Sequence, residues 1–237
     1  MMVGDLGDLA AAAAFFVGGH FALSSLPVRR VLIARLGDNA FRGIYSLVMM
    51  VALVWTVMSY RAAPFLELYQ PPGFGHWAAI VLMLFACIFL VASFLGRNVT
   101  SVGGEQKLDS AQIYAPHGVY TITRHPMLTG TALWSIAHLL ANGDAASVLL
   151  FIAILILSVG GALHIDYRRA RTLGPAWGPV ALTTSALPFL AAAQGRCKLD
   201  WAGFGLVPVA GGLALYLILL VVHPYLAGVV LIPGLPF

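Results

Sequence analysis

Charged side chains are scarce in this sequence. They make up 9% of its 237 residues, while hydrophobic residues make up 60%, whereas a soluble domain carries about 25% charged residues. So low a charge content excludes an ordinary soluble domain and indicates a protein of the lipid bilayer. The formal net charge of +4 follows from basic loops at the membrane surface, so we expect no nucleic-acid partner.

Cysteine is nearly absent, and so are acids at membrane depth. Cys87 lies in a predicted span and Cys197 in a predicted loop, with no C-x-x-C pair, so we expect neither a disulfide between them nor a thiolate metal site. The predicted spans offer no carboxylate that could complete a zinc site or a proton relay with a histidine. Histidine is therefore the candidate metal ligand within the membrane.

Long hydrophobic runs dominate what is present. A helix needs about 20 apolar residues to cross roughly 30 Å of hydrocarbon, and these runs are too long and too free of alternation for barrel strands. Six runs qualify, at about 9–26, 41–61, 76–96, 126–142, 145–165 and 204–222. We therefore predict an all-α fold, a single membrane domain over 1–237 that forms a polytopic bundle of about six transmembrane helices.

Basic residues set the predicted orientation, because Lys and Arg favour the cytoplasmic ends of short loops. With the N-terminus outside, all thirteen basic residues except Arg61 fall on the inner side. We therefore predict that both termini are outside. The first run follows acids rather than the basic stretch of a secretory signal, which predicts a retained helix, and the segment 176–193 is predicted to be interfacial.

Two histidines, His20 and His138, fall within the predicted spans, where an ionisable side chain is costly and is a functional candidate by default. His20 follows Gly18 and Gly19, which leave room beside the imidazole. His138 shares a helix face with a stripe of small, polar and aromatic residues: Ser135, Trp134, Thr131 and Gly130. The stripe also fits an interhelical hydrogen-bond network around a packed tryptophan.

Two neutral imidazoles on different helices can hold a haem between them. In upright helices His20 and His138 would differ in height by roughly 10 Å, and His125 is about equally distant, so spacing alone leaves the partner of His20 open. His164 falls at the predicted end of a span, where interfacial water is expected. The short link at 142–144 predicts a tight outer turn between two antiparallel helices.

A second cluster is predicted at the inner face. "HGVYTITRHPMLTG" places Tyr120, Arg124 and His125 around Pro126, whose fixed φ suits a first helical turn, and the next span ends near Asp166. Arg124 with His125 predicts a site for an anion or a carboxylate. The alternative is that these basic residues anchor helix ends to lipid headgroups.

The segment "TRHPMLTGTALWSIAHLLANGD", with "GHFALSSLPVRRVLIARLGDNAFRGIYSLV" upstream, resembles the NnrU family of integral membrane proteins over about residues 1–165, leaving an inner-face loop and a last helix at 166–237. The family includes bacterial proteins linked to denitrification and nitric oxide metabolism, and also 15-cis-zeta-carotene isomerase, which carries haem b. The resemblance implies His20, beside Gly19, and His138, beside Trp134, as haem ligands. It also implies a cysteine ligand where this chain has Ser135, so a plain bis-histidine site is expected.

"HGVYTITRHPMLTG", followed by "DYRRARTLGPAW", also resembles the isoprenylcysteine methyltransferase superfamily. This resemblance implies S-adenosylmethionine at an inner-face cleft formed by Arg124, His125 and Pro126. That superfamily's paired glutamates are replaced by Ile165 and Asp166, which weakens the case for methyl transfer.

The leading expectation is a multi-pass protein of the bacterial inner membrane with haem b on His20 and His138. It would act as a cis–trans isomerase of an apolar polyene or on a small gas ligand such as nitric oxide. One alternative is an S-adenosylmethionine-dependent membrane methyltransferase. Another is a non-enzymatic assembly factor for denitrification enzymes, with membrane redox enzymes as partners.

Overall fold

The fold is entirely helical in a computed structural model that describes residues 5–95, 100 and 115–231. The polar loop predicted at 97–122 lies largely outside the described residues. Ten α-helices are found in the described part: α1 Leu6–Ser24, α2 Leu26–Leu36, α3 Asp38–Ala62, α4 Gly75–Phe94, α5 Pro126–Ala141, α6 Ala145–Leu173, α7 Gly178–Thr183, α8 Leu190–Ala193, α9 Trp201–Phe204 and α10 Val207–Ala227. Outside these helices, the described residues contain 3-10 turns and one isolated bridge, Glu67 with Asp144.

The predicted all-helical membrane fold is confirmed. Among the described residues, five helical segments are long and apolar enough to cross a membrane: α1, α3, α4, α10 and Ala145–Thr183, in which α6 continues through a turn into α7. The remaining predicted span, at 126–142, forms α5, whose 16 residues extend about 24 Å. The chain is thus a multi-pass membrane protein, and the segment 176–193 forms the short helices α7 and α8.

The chain divides into two compact units. The first contains the described residues of 1–79 and 134–174, and the second those of 80–133 and 175–237. Helices α4 and α5 each contribute residues to both units. His20 and His138 belong to the first unit.

In the first unit, α1 packs against α3 in antiparallel fashion. At one end, the Asp8 carboxylate accepts hydrogen bonds from the Ser59 hydroxyl and, at 3.2 Å, from the Trp55 indole. At the other end, His20 meets the Tyr45 ring at 5.8 Å between centroids. These contacts place the start of each helix beside the end of the other.

Helix α1 also packs against α6, and these two helices run parallel. A Cβ at Gly160 would lie 2.9 Å from Cζ of Phe21, so the Phe21 ring rests where a larger residue would make it shift. One turn further along both helices, the Ser24 hydroxyl lies 3.0 Å from Nε2 of His164. The two contacts fix the register of α1 on α6.

The link between α5 and α6 is the tight turn that the sequence predicts. The Gly143 carbonyl accepts hydrogen bonds from the backbone amides of Leu68, at 2.9 Å, and Tyr69, at 3.2 Å. Asp144 caps α6 by accepting a 2.9 Å hydrogen bond from the Ser147 amide. The side chain of Asn142 donates to the His138 carbonyl at 2.9 Å. The turn is therefore held by the extended segment before α4 and by its own side chains.

In the second unit, glycines allow α4 to pack closely against two other helices. A Cβ at Gly130 of α5 would lie 2.9 Å from the Ala86 carbonyl oxygen, and one at Gly212 of α10 would lie 2.5 Å from Cα of Ile88. A buried cluster lies beside this packing: Phe89, Ala92, Val119, Tyr120 and Ile122. Gly130, predicted on the face of His138, thus serves helix packing on α4.

We predict that substitution of Gly143 destabilises the protein. In Gly143→Ala the new Cβ would lie 1.8 Å from the Tyr69 carbonyl oxygen, and relieving such an overlap costs about 1–3 kcal/mol. We expect Gly143→Ala to lower the free energy of unfolding by that amount in a denaturant titration in detergent. Gly18→Ala is the control, because a Cβ there meets nothing within 4 Å. Equal stability of the two variants would contradict the prediction.

Candidate functional site

His20 has the hydrogen bond expected of a metal-binding imidazole. Its Nδ1 lies 2.7 Å from the Phe16 carbonyl oxygen. A carbonyl only accepts hydrogen bonds, so Nδ1 carries the proton and the lone pair of the neutral ring is on Nε2. Metal-bound histidines commonly have this arrangement, in which a backbone carbonyl orients the ring.

The inward face of α1 is less deeply buried at the level of His20 than near its start. Leu9 and Ala13 on this face are buried, whereas Phe16 and His20, on the same stripe, are only half-buried. The Phe16 and His20 rings meet edge to face at 4.6 Å. The packing is therefore tighter near the start of α1 than around the imidazole.

His138 has a matching hydrogen bond but more crowded surroundings. Its Nδ1 donates to the Trp134 carbonyl at 2.9 Å, so its lone pair is also on Nε2 in the neutral ring. The imidazole stacks on the Phe151 ring at 4.4 Å and meets the Trp134 ring at 5.2 Å. Ser135 is fully buried on the same helix. The predicted stripe is thus an aromatic packing site around the histidine.

The two histidines lie at different heights in the first unit. His138 stacks on Phe151 of α6, whereas Phe21, which follows His20, reaches Gly160. The two levels are eight or nine residues apart on α6, roughly 12 Å along its axis.

Contacts of helix α3 place the two histidines in the same order along the first unit. Tyr45 lies beside His20, and the Tyr60 hydroxyl lies 3.0 Å from the Ser147 hydroxyl, close to the level of His138. The fifteen residues from Tyr45 to Tyr60 rise roughly 22 Å along the axis of α3. The two registers agree on the order of the histidines, and both separate their levels by more than roughly 10 Å.

This offset tests whether the pair could ligate one haem iron. A bond between an imidazole nitrogen and a metal is about 2 Å long, so two axial Nε2 atoms must lie about 4 Å apart. A height difference of roughly 12 Å does not allow this. The tautomer of each imidazole suits it to bind a haem iron on its own. In this arrangement, however, His20 and His138 do not fit the same iron as a pair.

Gly19 serves helix contact. A Cβ at Gly19 would lie 2.8 Å from Cε of Met49, the flexible end of a side chain that packs on this glycine from α3. Among the described residues, no group of three or more His, Cys, Asp or Glu side chains is placed to hold a metal ion.

His164 is a residue whose place the sequence reasoning missed. It packs edge to face against Phe21 at 5.7 Å, rather than facing only interfacial water. The Ser24 hydroxyl donates to the His20 carbonyl at 2.5 Å, so the 3.0 Å contact with His164 takes its proton from Nε2 of His164. The sequence held one signal for this contact: Ser24 follows His20 by four residues and therefore lies on the same helix face.

The predicted inner-face cluster is divided between the two units. Tyr120, Arg124 and His125 lie in the second unit, with Tyr120 and His125 buried, whereas Asp166 lies in the first. The Arg124 guanidinium donates to the Thr184 carbonyl at 3.0 Å, and that carbonyl also accepts from Arg196 at 2.8 Å. Both arginines therefore cap the carbonyl end of α7, a position that favours cations.

Asp200 fixes the turn that precedes Arg124. Its carboxylate accepts hydrogen bonds from the amides of Gly203, at 2.8 Å, and Gly118, at 3.1 Å, with Nε2 of His117 at 3.6 Å. The Gly203 and Gly118 amides, followed by His117, hold the pKa of Asp200 below its usual range, which burial opposes. The ionised carboxylate thus holds the Gly118 turn in place.

We predict that the turn at Gly118, which the Asp200 carboxylate holds, is sensitive to acid. Because the folded pKa of Asp200 is lowered, its stabilisation is complete above the usual Asp pKa of about 4 and is lost as pH falls through the folded value. We expect amide exchange at Gly118 and Gly203 to speed up over that window. In Asp200→Asn, these two amides should already exchange fast at neutral pH. Lowering the pH should then change their rates only through the intrinsic pH dependence of amide exchange. An identical pH profile for both proteins would contradict the assignment.

One family model and two curated relatives match the chain. A family model described as NnrU protein matches residues 8–231, further than the stretch on which the sequence resemblance rested. The 15-cis-zeta-carotene isomerase of Arabidopsis thaliana is 25% identical over 75% of this chain and 48% of its own length. The enzyme of the same name from Zea mays is 34% identical over 35% of this chain and 22% of its own length.

This chain thus spans about half the length of these curated relatives or less. No solved structure matches the chain.

Proposed function

The chain belongs to the NnrU family, and from that premise we propose that it is a bacterial inner-membrane cis–trans isomerase of an apolar polyene. The alignment with the Arabidopsis enzyme, over three quarters of this chain, is the observation that carries the proposal. The helical membrane fold suits the substrate, because a polyene without polar groups dissolves in the bilayer core and reaches the site between helices.

The proposed site is the inward face of α1 around His20. Phe16 lies edge to face against the imidazole, and Tyr45 closes the side towards α3. Aromatic walls of this kind bind a flat conjugated chain through dispersion. The closed packing at Leu9 and Ala13 limits access of water from that end of α1.

Haem b is the proposed cofactor, and His20 is the ligand that we propose for it. When bound, haem would supply a redox-active, Lewis-acidic iron. His20 carries its Nε2 lone pair on the half-buried part of the α1 face, and the Phe16 carbonyl keeps the ring in that tautomer. His138 is placed beside the aromatic pair Trp134 and Phe151, where we propose that it packs rather than ligates the same iron.

Methyl transfer stays an alternative that the second resemblance predicts. Arg124, which the second resemblance assigns to a cofactor cleft, donates to the Thr184 carbonyl and hydroxyl. Roles in nitric oxide metabolism or in the assembly of denitrification enzymes stay predictions from the family resemblance.

Isomerase activity is the first test. Purified protein, supplied with haem during expression and reconstituted in liposomes that contain a 15-cis polyene, should convert it to the trans isomer, as measured by chromatography. We expect His20→Ala to reduce the rate at least tenfold. His223→Ala is the matched control, because this half-buried histidine lies on α10 in the second unit. Equal rates for the two variants, or no conversion by well-folded wild-type protein, would refute the proposal.

Visible spectroscopy tests the ligand separately from activity. We expect the wild-type protein to show a haem absorption band that His20→Gly abolishes and that added imidazole restores. His138→Ala should keep the band position and the spin state, because its imidazole is roughly 12 Å away in height. A change from low to high spin in His138→Ala would mean that both histidines bind one iron.

A further inference from the structure

Helix α2 differs from the other helices of the first unit because it contains no buried residue. It begins after Ser25, whose extended backbone ends α1, and it ends at Gly37, whose φ of 80° is one that side chains disfavour. Pro27 occupies its first turn. These two breaks allow α2 to take a direction different from α1 and α3.

The contacts between α1 and α3 show which direction α2 takes. The pairs Phe15 with Trp55 and His20 with Tyr45 place Ser24 level with about residue 43 of α3. The start of α3, at Asp38, is therefore only about 7 Å beyond the end of α1, whereas the eleven residues of α2 extend about 16 Å. Helix α2 must then lie mostly across the end of the unit, close to the membrane plane.

One side of α2 is fixed to the body of the first unit. Arg29 forms a 3.2 Å ion pair with Asp38, and its guanidinium lies 4.9 Å from the centroid of the Phe41 ring. Leu32 and Ile33 are half-buried on the same side. The opposite side therefore points away from the protein.

That outward side combines apolar and basic groups. Val28 and Val31 are exposed, with half of the surface of Val31 accessible. Arg30 and Arg35 are exposed too, and among the described residues neither contacts a carboxylate. A helix in the membrane plane that exposes apolar side chains beside long cations can rest at the lipid interface, because the cations reach the headgroups while the apolar groups stay among the acyl chains.

We propose that α2 binds the anionic headgroups of the adjacent leaflet, with Arg30 and Arg35 on lipid phosphates and Val28 and Val31 among the acyl chains. Charge complementarity selects the partner, because basic residues at the surface attract anionic lipid. This proposal is independent of the isomerase and of haem. It assigns α2 to holding the shared end of α1 and α3 at the headgroup level.

The test compares melting temperatures in nanodiscs of phosphatidylcholine alone and of phosphatidylcholine with phosphatidylglycerol. We expect phosphatidylglycerol to raise the melting temperature of the wild-type protein by a few degrees, and high salt to reduce the shift. Arg30→Gln with Arg35→Gln should lose most of the shift. Arg61→Gln, which removes an exposed charge at the opposite end of α3, should keep it.

Three outcomes would overturn the proposal. One is a wild-type protein that melts at the same temperature in both lipid mixtures. The second is an equal loss of the shift in Arg61→Gln and in the double variant, which would indicate a general charge effect. The third is a shift of the same size from inorganic phosphate added to phosphatidylcholine nanodiscs, which would assign the arginines to a free anion.

Discussion

The register of α1 against α3 and α6 is the constraint on which the rest of the first unit depends. Phe21 rests on Gly160 and Met49 on Gly19, and the Ser24 contact with His164 fixes the level on α6. Once these contacts form, the height of His20 is set. The direction of α2 follows from the same register, because α2 must join two helix ends whose levels differ little.

The sequence predicted much of this fold for a simple physical reason. Each hydrophobic run long enough to cross a bilayer must satisfy its backbone internally, and a helix does so. All six predicted runs form helices, and the link at Asn142, Gly143 and Asp144 is the predicted tight turn. The short helix α2 was not predicted, because its apolar and basic residues repeat without a clear period that would mark a separate helix.

The candidate site was less predictable than the fold. Periodicity identifies the face of a helix but not its level against a neighbour, so the sequence could only estimate the gap between His20 and His138. His164 shows the same limit, since its contact with Ser24 joins residues 140 positions apart. The inner-face arginines were ambiguous because a guanidinium that caps a helix and one that binds an anion look alike in sequence.

The central claim is that His20 and His138 occupy separate levels, and cross-linking tests it without any cofactor. In protein with Cys87→Ser and Cys197→Ser, a short bismaleimide reagent cross-links two cysteines that replace residues at the same level. Ser24→Cys with His164→Cys, and Tyr60→Cys with Ser147→Cys, replace pairs whose side chains meet at 3.0 Å and should each be cross-linked, whereas His20→Cys with Phe151→Cys should not. A cross-link between positions 20 and 151, in place of the first two, would place both histidines at one level and contradict the account.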